Sequence, residues 1–179
     1  MRLITPLALS VLILFAGCAP DLEKIRKVTE GEEVAVEIGK DVEIFFSEQG
    51  QTRAQILAPE LLRYDSEEPY TEFGAGLRLY FYNSSLEIES KLSANFGAYF
   101  PKKEQMNVRD NVVLINVEGE KLNTEELTWD RKEAKIFTDK FVEITTPTEI
   151  IYGTGLEANQ DFTDYTIKNI SGVVNVEQE

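Results

Sequence analysis

The stretch Leu77-Arg-Leu-Tyr-Phe-Tyr82 sets the expected fold of this chain. Its apolar residues Leu77, Leu79 and Phe81 alternate with arginine and tyrosine. Successive side chains of a strand point to opposite faces, so this pattern predicts a strand that is buried on one side. Antiparallel sheets commonly have one such dry face and one wet face. The stretch therefore predicts antiparallel β-structure.

The same alternation recurs through most of the chain after residue 34. It is clear over residues 34–38, 42–46 and 86–92, whereas residues 112–117 are more continuously apolar, which predicts a strand covered on both faces. No later segment shows a sustained helical period, so an all-β fold is expected. Further strands are predicted at residues 53–58, 121–128, 135–138, 141–145, 150–155, 165–170 and 173–176.

Pairs of strand-like segments also recur along the chain. Four similar apolar segments begin at residues 76, 111, 140 and 172, which lie 35, 29 and 32 residues apart. Each follows a segment that has Leu or Ile and then Ala or Thr. Repeated β units predict a stack in which each strand pair buries its apolar face against the next.

The composition excludes several classes of function. The 179 residues include 18 Lys+Arg, 32 Asp+Glu, no His and one Cys, with a formal net charge of −14. Nucleic-acid binding is not expected, because phosphate backbones are met by Lys and Arg. The lack of His removes the commonest general base and metal ligand, and one Cys cannot form an intrachain disulfide or a Cys-based zinc cluster. We expect a non-enzymatic domain with no cofactor and no metal.

The N-terminal segment has the features of a secretory signal. Arg2 precedes an apolar stretch over residues 3–15, which is shorter than the roughly 20 residues that span a bilayer. The stretch ends in Ala16-Gly17-Cys18, which resembles the cleavage site of bacterial lipoproteins. The resemblance implies cleavage before Cys18 and acylation of that residue. The alternative is a short N-terminal membrane anchor in which Cys18 is incidental.

The expected organisation is a signal peptide over residues 1–17, a lipidated tether over residues 18–33 and a folded domain over residues 34–179. The mature chain would carry 17 Lys+Arg against 32 Asp+Glu, and anionic headgroups would repel it. The acyl chains on Cys18, and not the surface charge, would therefore hold it at a membrane. The expected location is the periplasm, with the inner membrane favoured as the site of the anchor.

Several motifs in the predicted domain resemble the LptC family of lipopolysaccharide-export proteins. Pro69-Tyr-Thr-Glu-Phe73 is followed by Leu92-Ser-Ala-Asn95 and Tyr99. The most specific part, residues 122–145, contains Leu-Asn-Thr-Glu-Glu-Leu-Thr-Trp-Asp and Ile-Phe-Thr-Asp-Lys-Phe-Val-Glu-Ile-Thr, and it leads into Gly-Thr-Gly-Leu-Glu-Ala-Asn-Gln-Asp-Phe at residues 153–162. The resemblance covers residues 54–174, nearly all of the predicted domain.

The resemblance implies an open, twisted antiparallel β-jellyroll whose groove shields the acyl chains of lipopolysaccharide. Such a domain would accept lipopolysaccharide from the inner-membrane ABC transporter and pass it along the periplasm. It would stack edge to edge with an LptF-like jellyroll on one side and an LptA-like jellyroll on the other. Members of this family typically carry a membrane-spanning N-terminal helix, where this chain has a lipoprotein-type signal.

Two sets of residues follow from the alternation and the resemblance together. The last apolar strand has no later strand to pair with, so Val173, Val174 and Val176 are expected to form an edge that adds to a partner sheet. Apolar residues on one face of the other strands are expected to line the lipid groove: Phe46, Ile56, Leu79, Phe81, Ile88, Val113, Ile115, Val142 and Ile144.

Other interpretations of the same residues remain open. The inner face could be an ordinary closed core, in which case the chain is a structural or binding lipoprotein of the envelope that transports no lipid. The carboxylate pairs at residues 67–68, at 125–126 and at Asp161 with Asp164 invite comparison with glycosidases, although 32 acids make such pairs common by chance. Asn159, Asp161 and Asp164 could ligate calcium, or could form a solvated turn.

Overall fold

The computed structural model describes residues 35–175, which form eleven strands and no helix. The predicted signal peptide and tether, Cys18 and Val176 lie outside the described residues and stay predictions. The strands are β1 Glu37–Glu48, β2 Gln51–Tyr64, β3 Tyr70–Phe73, β4 Leu77–Tyr82, β5 Ile88–Ala94, β6 Phe96–Phe100, β7 Gln105–Asn116, β8 Lys121–Asp130, β9 Lys135–Thr145, β10 Glu149–Asn159 and β11 Tyr165–Asn175.

All strands belong to one antiparallel sheet that divides between β2 and β7. The first part of β2 pairs with β4 and its last part pairs with β3. In the same way, the end of β7 pairs with β5 and its beginning pairs with β6. One path from β2 to β7 therefore runs through β4 and β5, and the other runs through β3 and β6. The sheet therefore has two layers in its middle: β4 and β5 belong to one layer, and β3 and β6 belong to the other.

The two layers are joined along a row of bulges. The register shifts between Arg109 and Val112 in β7, and again where β8 and β10 pair with β9, which lies between them. Asp110 and Asn111 have φ angles of 65° and 59°, the left-handed region that bulges use. Bulges bend a strand, so β7 to β10 pass from one layer into the other here. We call the opposite end, where the strand ends of the two layers meet, the mouth.

Aromatic side chains from the two layers meet in the interior. Phe46 of one layer packs edge-on against Tyr99 and Trp129 of the other, with ring centroids 5.0 and 5.5 Å apart. Phe81 packs against Trp129 at 5.2 Å. Edge-to-face contacts of this kind add to the stabilisation from burial itself. The interior near the mouth is therefore filled by the side chains of the protein.

The sheet is not closed into a barrel. Within residues 35–175, β1 pairs only with β2 and β11 pairs only with β10, so both are edge strands. The expectation of an all-β, open antiparallel jellyroll is confirmed.

Some strand boundaries differ from the expectation. Residues 135–145 form the single strand β9, and residues 165–175 form the single strand β11, where two strands each were expected. Leu86, expected in a strand, lies in the turn before β5 with a φ of 62°, and its side chain is exposed. The turn is fixed by Asn83, whose side-chain oxygen accepts hydrogen bonds from the N–H groups of Ser85 and Glu87.

Candidate functional site

A continuous row of aliphatic side chains crosses the inner face from one edge strand to the other. Each member lies directly opposite the next in the strand register, so all nine point to the same face of the sheet. At a strand spacing of 4.7–4.9 Å, the row extends roughly 38 Å along the curved sheet. We call it the aliphatic row: Ile44, Ile56, Leu79, Leu92, Leu114, Leu122, Ile144, Ile151 and Val173.

Burial varies along the aliphatic row. The six central residues, from Ile56 to Ile144, are at most 2% exposed. Ile44 and Ile151, towards the two edges, are half-buried, and Val173 on the edge strand β11 is 52% exposed. The apolar interior of the domain is therefore open to its surroundings at the sheet edges and covered in between.

Three residues of the predicted groove belong to the aliphatic row: Ile56, Leu79 and Ile144. Phe81 and Val142 are also fully buried in the core, while Phe46 and Ile88 are half-buried. The structure therefore places these seven on the inner face or at its border.

The prediction that Val113 and Ile115 point inwards is wrong. Their neighbours Val112 and Leu114 are buried, whereas Val113 is half-buried and Ile115 is 40% exposed. A shift of one residue exchanges the two faces of a strand. The continuous apolar run of β7 conceals its alternation, and the bulge at residues 110–111 sets which residues face inwards.

The expected partner edge is partly described. Val173 and Val174 lie on β11 and are both 52% exposed. Beyond β10, no strand of residues 35–175 pairs with β11. The opposite edge, β1, also carries exposed apolar side chains, with Ile38 64% and Phe45 55% exposed. Both edges of the described sheet thus combine apolar side chains with strand backbone that another chain can pair with.

The turn between β10 and β11 inserts a side chain into the mouth. Phe162 in this turn is fully buried and stacks on Tyr165 with ring centroids 5.0 Å apart. The buried Ser90 donates a hydrogen bond of 2.7 Å to the Gln160 carbonyl, and Asn116 donates one of 2.9 Å to the Phe162 carbonyl. We call residues 160–164 the plug.

The plug was not predicted from the sequence. The polar residues around it were interpreted as calcium ligands or as a solvated turn, and only Phe162 signals that the turn is buried. Trp129 Nε1 also donates to the side-chain oxygen of Gln160, at 3.2 Å. Ser90 and Asn116 thus have a structural reason to be polar inside an apolar core, because buried backbone carbonyls require donors.

Asn159 and Asp161, which were considered as calcium ligands, have local structural roles. Asn159 accepts hydrogen bonds from the N–H groups of Thr163 and Asp164, and Asp161 accepts from the N–H and hydroxyl of Thr163. These contacts are typical of turns in which a side chain caps the backbone. Within residues 35–175 no group of three or more acidic or Cys side chains is arranged to hold a metal ion.

The carboxylate of Glu89, near the mouth, has a raised pKa. Burial raises the pKa of Glu89 above its usual value, repulsion from Asp161 of the plug raises it further, and Arg53 acts in the opposite direction. The charged form of Glu89 is therefore disfavoured in the folded protein.

Residues 35–175 contain no helix that could span a bilayer.

Comparison with known proteins identifies the family. No curated protein matches the chain. The family described as lipopolysaccharide-assembly, LptC-related matches residues 8–173. The match begins within the N-terminal apolar stretch and covers nearly all of the jellyroll. The chain therefore belongs to the LptC family of periplasmic envelope proteins that take part in lipopolysaccharide transport.

Proposed function

We propose that this chain is a non-enzymatic, membrane-tethered segment of a periplasmic bridge that carries lipopolysaccharide by its acyl chains. The observation that carries the proposal is the aliphatic row, which runs without a polar interruption from β1 to β11. Moving one CH₂ group from water to an apolar site is worth about 0.8 kcal/mol. An acyl chain that follows the row keeps that stabilisation from one edge of the sheet to the other.

The two edge strands supply the contacts to neighbouring domains. Strand β1 accepts the sheet of an LptF-like jellyroll on the transporter, and β11 accepts an LptA-like jellyroll. Backbone hydrogen bonds supply the affinity in such strand addition. The two ends of the aliphatic row, half-buried Ile44 and exposed Val173, would then continue into the apolar interiors of these neighbours. Acylated Cys18 holds the domain at the inner membrane, beside the transporter.

The filled interior favours a second candidate function. The central row is covered by the side chains of the protein, and Phe162 closes part of the mouth. A permanently closed core of this kind suits a structural or binding module of the envelope that carries no lipid. The two candidates differ in whether the layers separate enough to admit an acyl chain.

Photocrosslinking with a matched pair of positions tests the transport proposal. Leu114 and Ile115 are adjacent aliphatic residues on opposite faces of β7. A photoreactive residue at position 114 is expected to form adducts with lipopolysaccharide in cells during active export, and the same residue at position 115 is not. Absence of adducts at both positions, with a folded and membrane-bound protein, would favour the closed structural module.

A further inference from the structure

A small cavity lies in the mouth, between the hairpin of β1 and β2 and the turns of the opposite layer. Its volume is about 240 Å³, enough for roughly eight waters at about 30 Å³ each. Three of the residues around it are basic and two are acidic, although acids outnumber bases by 32 to 18 in the whole chain. The lining residues are Phe46, Ser47, Glu48, Arg53, Glu104, Arg131 and Lys132.

The guanidinium groups at this mouth cavity are incompletely paired. Arg131 Nη2 forms an ion pair with Glu104, while Arg53 Nε lies 4.0 Å from the carboxylate of Glu48, beyond hydrogen-bond distance. The Nε atoms of both arginines are buried and have no hydrogen-bond acceptor. Arg53 also attracts the charge of Glu89. Arg131 and Glu104 neutralise each other, so Arg53 and Lys132 outnumber Glu48 by one charge among the residues that line the cavity.

The cavity adjoins the apolar interior through Phe46. This ring forms part of the cavity wall, and it also packs against Tyr99 and Trp129 in the core. Behind Phe46 on the inner face of β1 lies Ile44, the first member of the aliphatic row. A basic rim next to an apolar interior matches a ligand that has an anionic head and an acyl tail.

We propose that the mouth cavity binds a phosphate group, and that this phosphate belongs to a lipid whose acyl chains occupy the interior. Guanidinium groups offer planar, paired donors that fit phosphate oxygens, and lysine adds a compact charge. An anion between Arg53 and Lys132 would accept hydrogen bonds from the terminal guanidinium nitrogens of Arg53 and from the ammonium group of Lys132. The lipid part of the proposal rests on the proposed function, because it requires acyl chains in the interior.

Binding of lipid A with and without its phosphates tests the proposal on the full-length protein in detergent micelles. The wild-type chain is expected to bind phosphorylated lipid A at least tenfold more tightly than the dephosphorylated form. The double variant Arg53→Gln/Lys132→Gln is expected to lose this preference and to keep the affinity for dephosphorylated lipid A. The control Arg78→Gln/Lys91→Gln removes the same charge from the outer face of the sheet and is expected to keep the preference. Circular dichroism verifies folding of both variants.

The outcomes separate this proposal from the proposed function. If wild type binds both forms equally, the phosphate site is refuted while acyl-chain binding stands. If wild type binds neither form, the proposed function fails as well. Loss of the preference in the outer-face control would show that overall charge, and not the cavity, attracts the lipid. Inorganic phosphate is tested as a third ligand. If it binds with the same Kd as phosphorylated lipid A, and dephosphorylated lipid A does not bind, the cavity takes free phosphate and the claim that the phosphate belongs to a lipid is refuted.

Discussion

The inner register of β7 can be tested by comparing two neighbouring alanine substitutions. Leu114 is fully buried between Leu92 and Leu122, which are themselves at most 2% exposed. Leu→Ala changes in cores cost about 2–5 kcal/mol, and most where the surroundings cannot collapse. The flanking strands hold these neighbours in place, so we expect Leu114→Ala to cost roughly 3–4 kcal/mol. Ile115 lies on the outer face and is 40% exposed, so Ile115→Ala should cost at most about 1 kcal/mol.

Urea unfolding of the full-length protein in mild detergent measures the difference. Trp129 is the one tryptophan of the chain and is 2% exposed, so its fluorescence reports loss of the core. In a thermal scan the Leu114→Ala loss corresponds to a decrease in Tm of roughly 6–16 °C for a domain of this size. An equal or larger loss for Ile115→Ala would refute the register, and with it the aliphatic row.

Three further predictions concern the mouth, the β11 edge and the anchor. The pKa of Glu89 is raised first by burial and then by Asp161, so the folded state favours the protonated form. The contribution of this group to the free energy of unfolding is full below about pH 4.5 and is lost as the pH rises through the folded pKa. Glu89→Gln should therefore be more stable than wild type at pH 7 and equal to it near pH 4 in urea unfolding, with the exposed Glu87→Gln as control; an unchanged pH dependence would contradict this. Val174→Pro removes a backbone donor from the edge strand, so it should abolish pull-down of an LptA-like jellyroll while Val174→Ala does not; full binding by a folded proline variant would exclude β11 as the docking edge. Cys18→Ala should leave an uncleaved precursor that incorporates no labelled palmitate, and normal processing of the variant would exclude the lipoprotein anchor.

Where the alternation of apolar and polar residues was regular, it correctly predicted which side chains are buried. In β4, Leu77, Leu79 and Phe81 are buried as expected, because each neighbour is polar or amphipathic. The alternation failed as a guide in β7. Several consecutive residues there are apolar, so the sequence does not show which of them face inwards, and a bulge decides it. Bulges depend on the sheet as a whole, because the same bend must occur in adjacent strands.

Strand lengths were also set by tertiary structure. Residues 139–140 and 171–172 were interpreted as breaks between strands, but both lie inside continuous strands, beside shifts in the register with a neighbouring strand. The short strands Tyr70–Phe73 and Phe96–Phe100 were missed because four or five residues without alternation carry little signal. They are stabilised by pairing with each other and with β2 and β7.

The candidate site shows the same division. Ile56, Leu79 and Ile144 were predicted from local alternation, but the edge-to-edge row emerges only from the register of nine strands. The plug and the mouth cavity bring together residues such as Arg53 and Arg131, which are far apart in the chain. Contacts at such separations have no local signature in a single sequence.

The claim that acyl chains travel along the aliphatic row is tested most directly by the order in which its positions meet lipid. Photoreactive residues at Ile44, Leu114 and Val173 mark the β1 end, the middle and the β11 end of the row. In membranes that hold the complete transporter, addition of ATP should give lipopolysaccharide adducts first at 44, then at 114 and last at 173. Adducts confined to the two ends of the row, with none at 114 while export proceeds, would contradict transport through this interior.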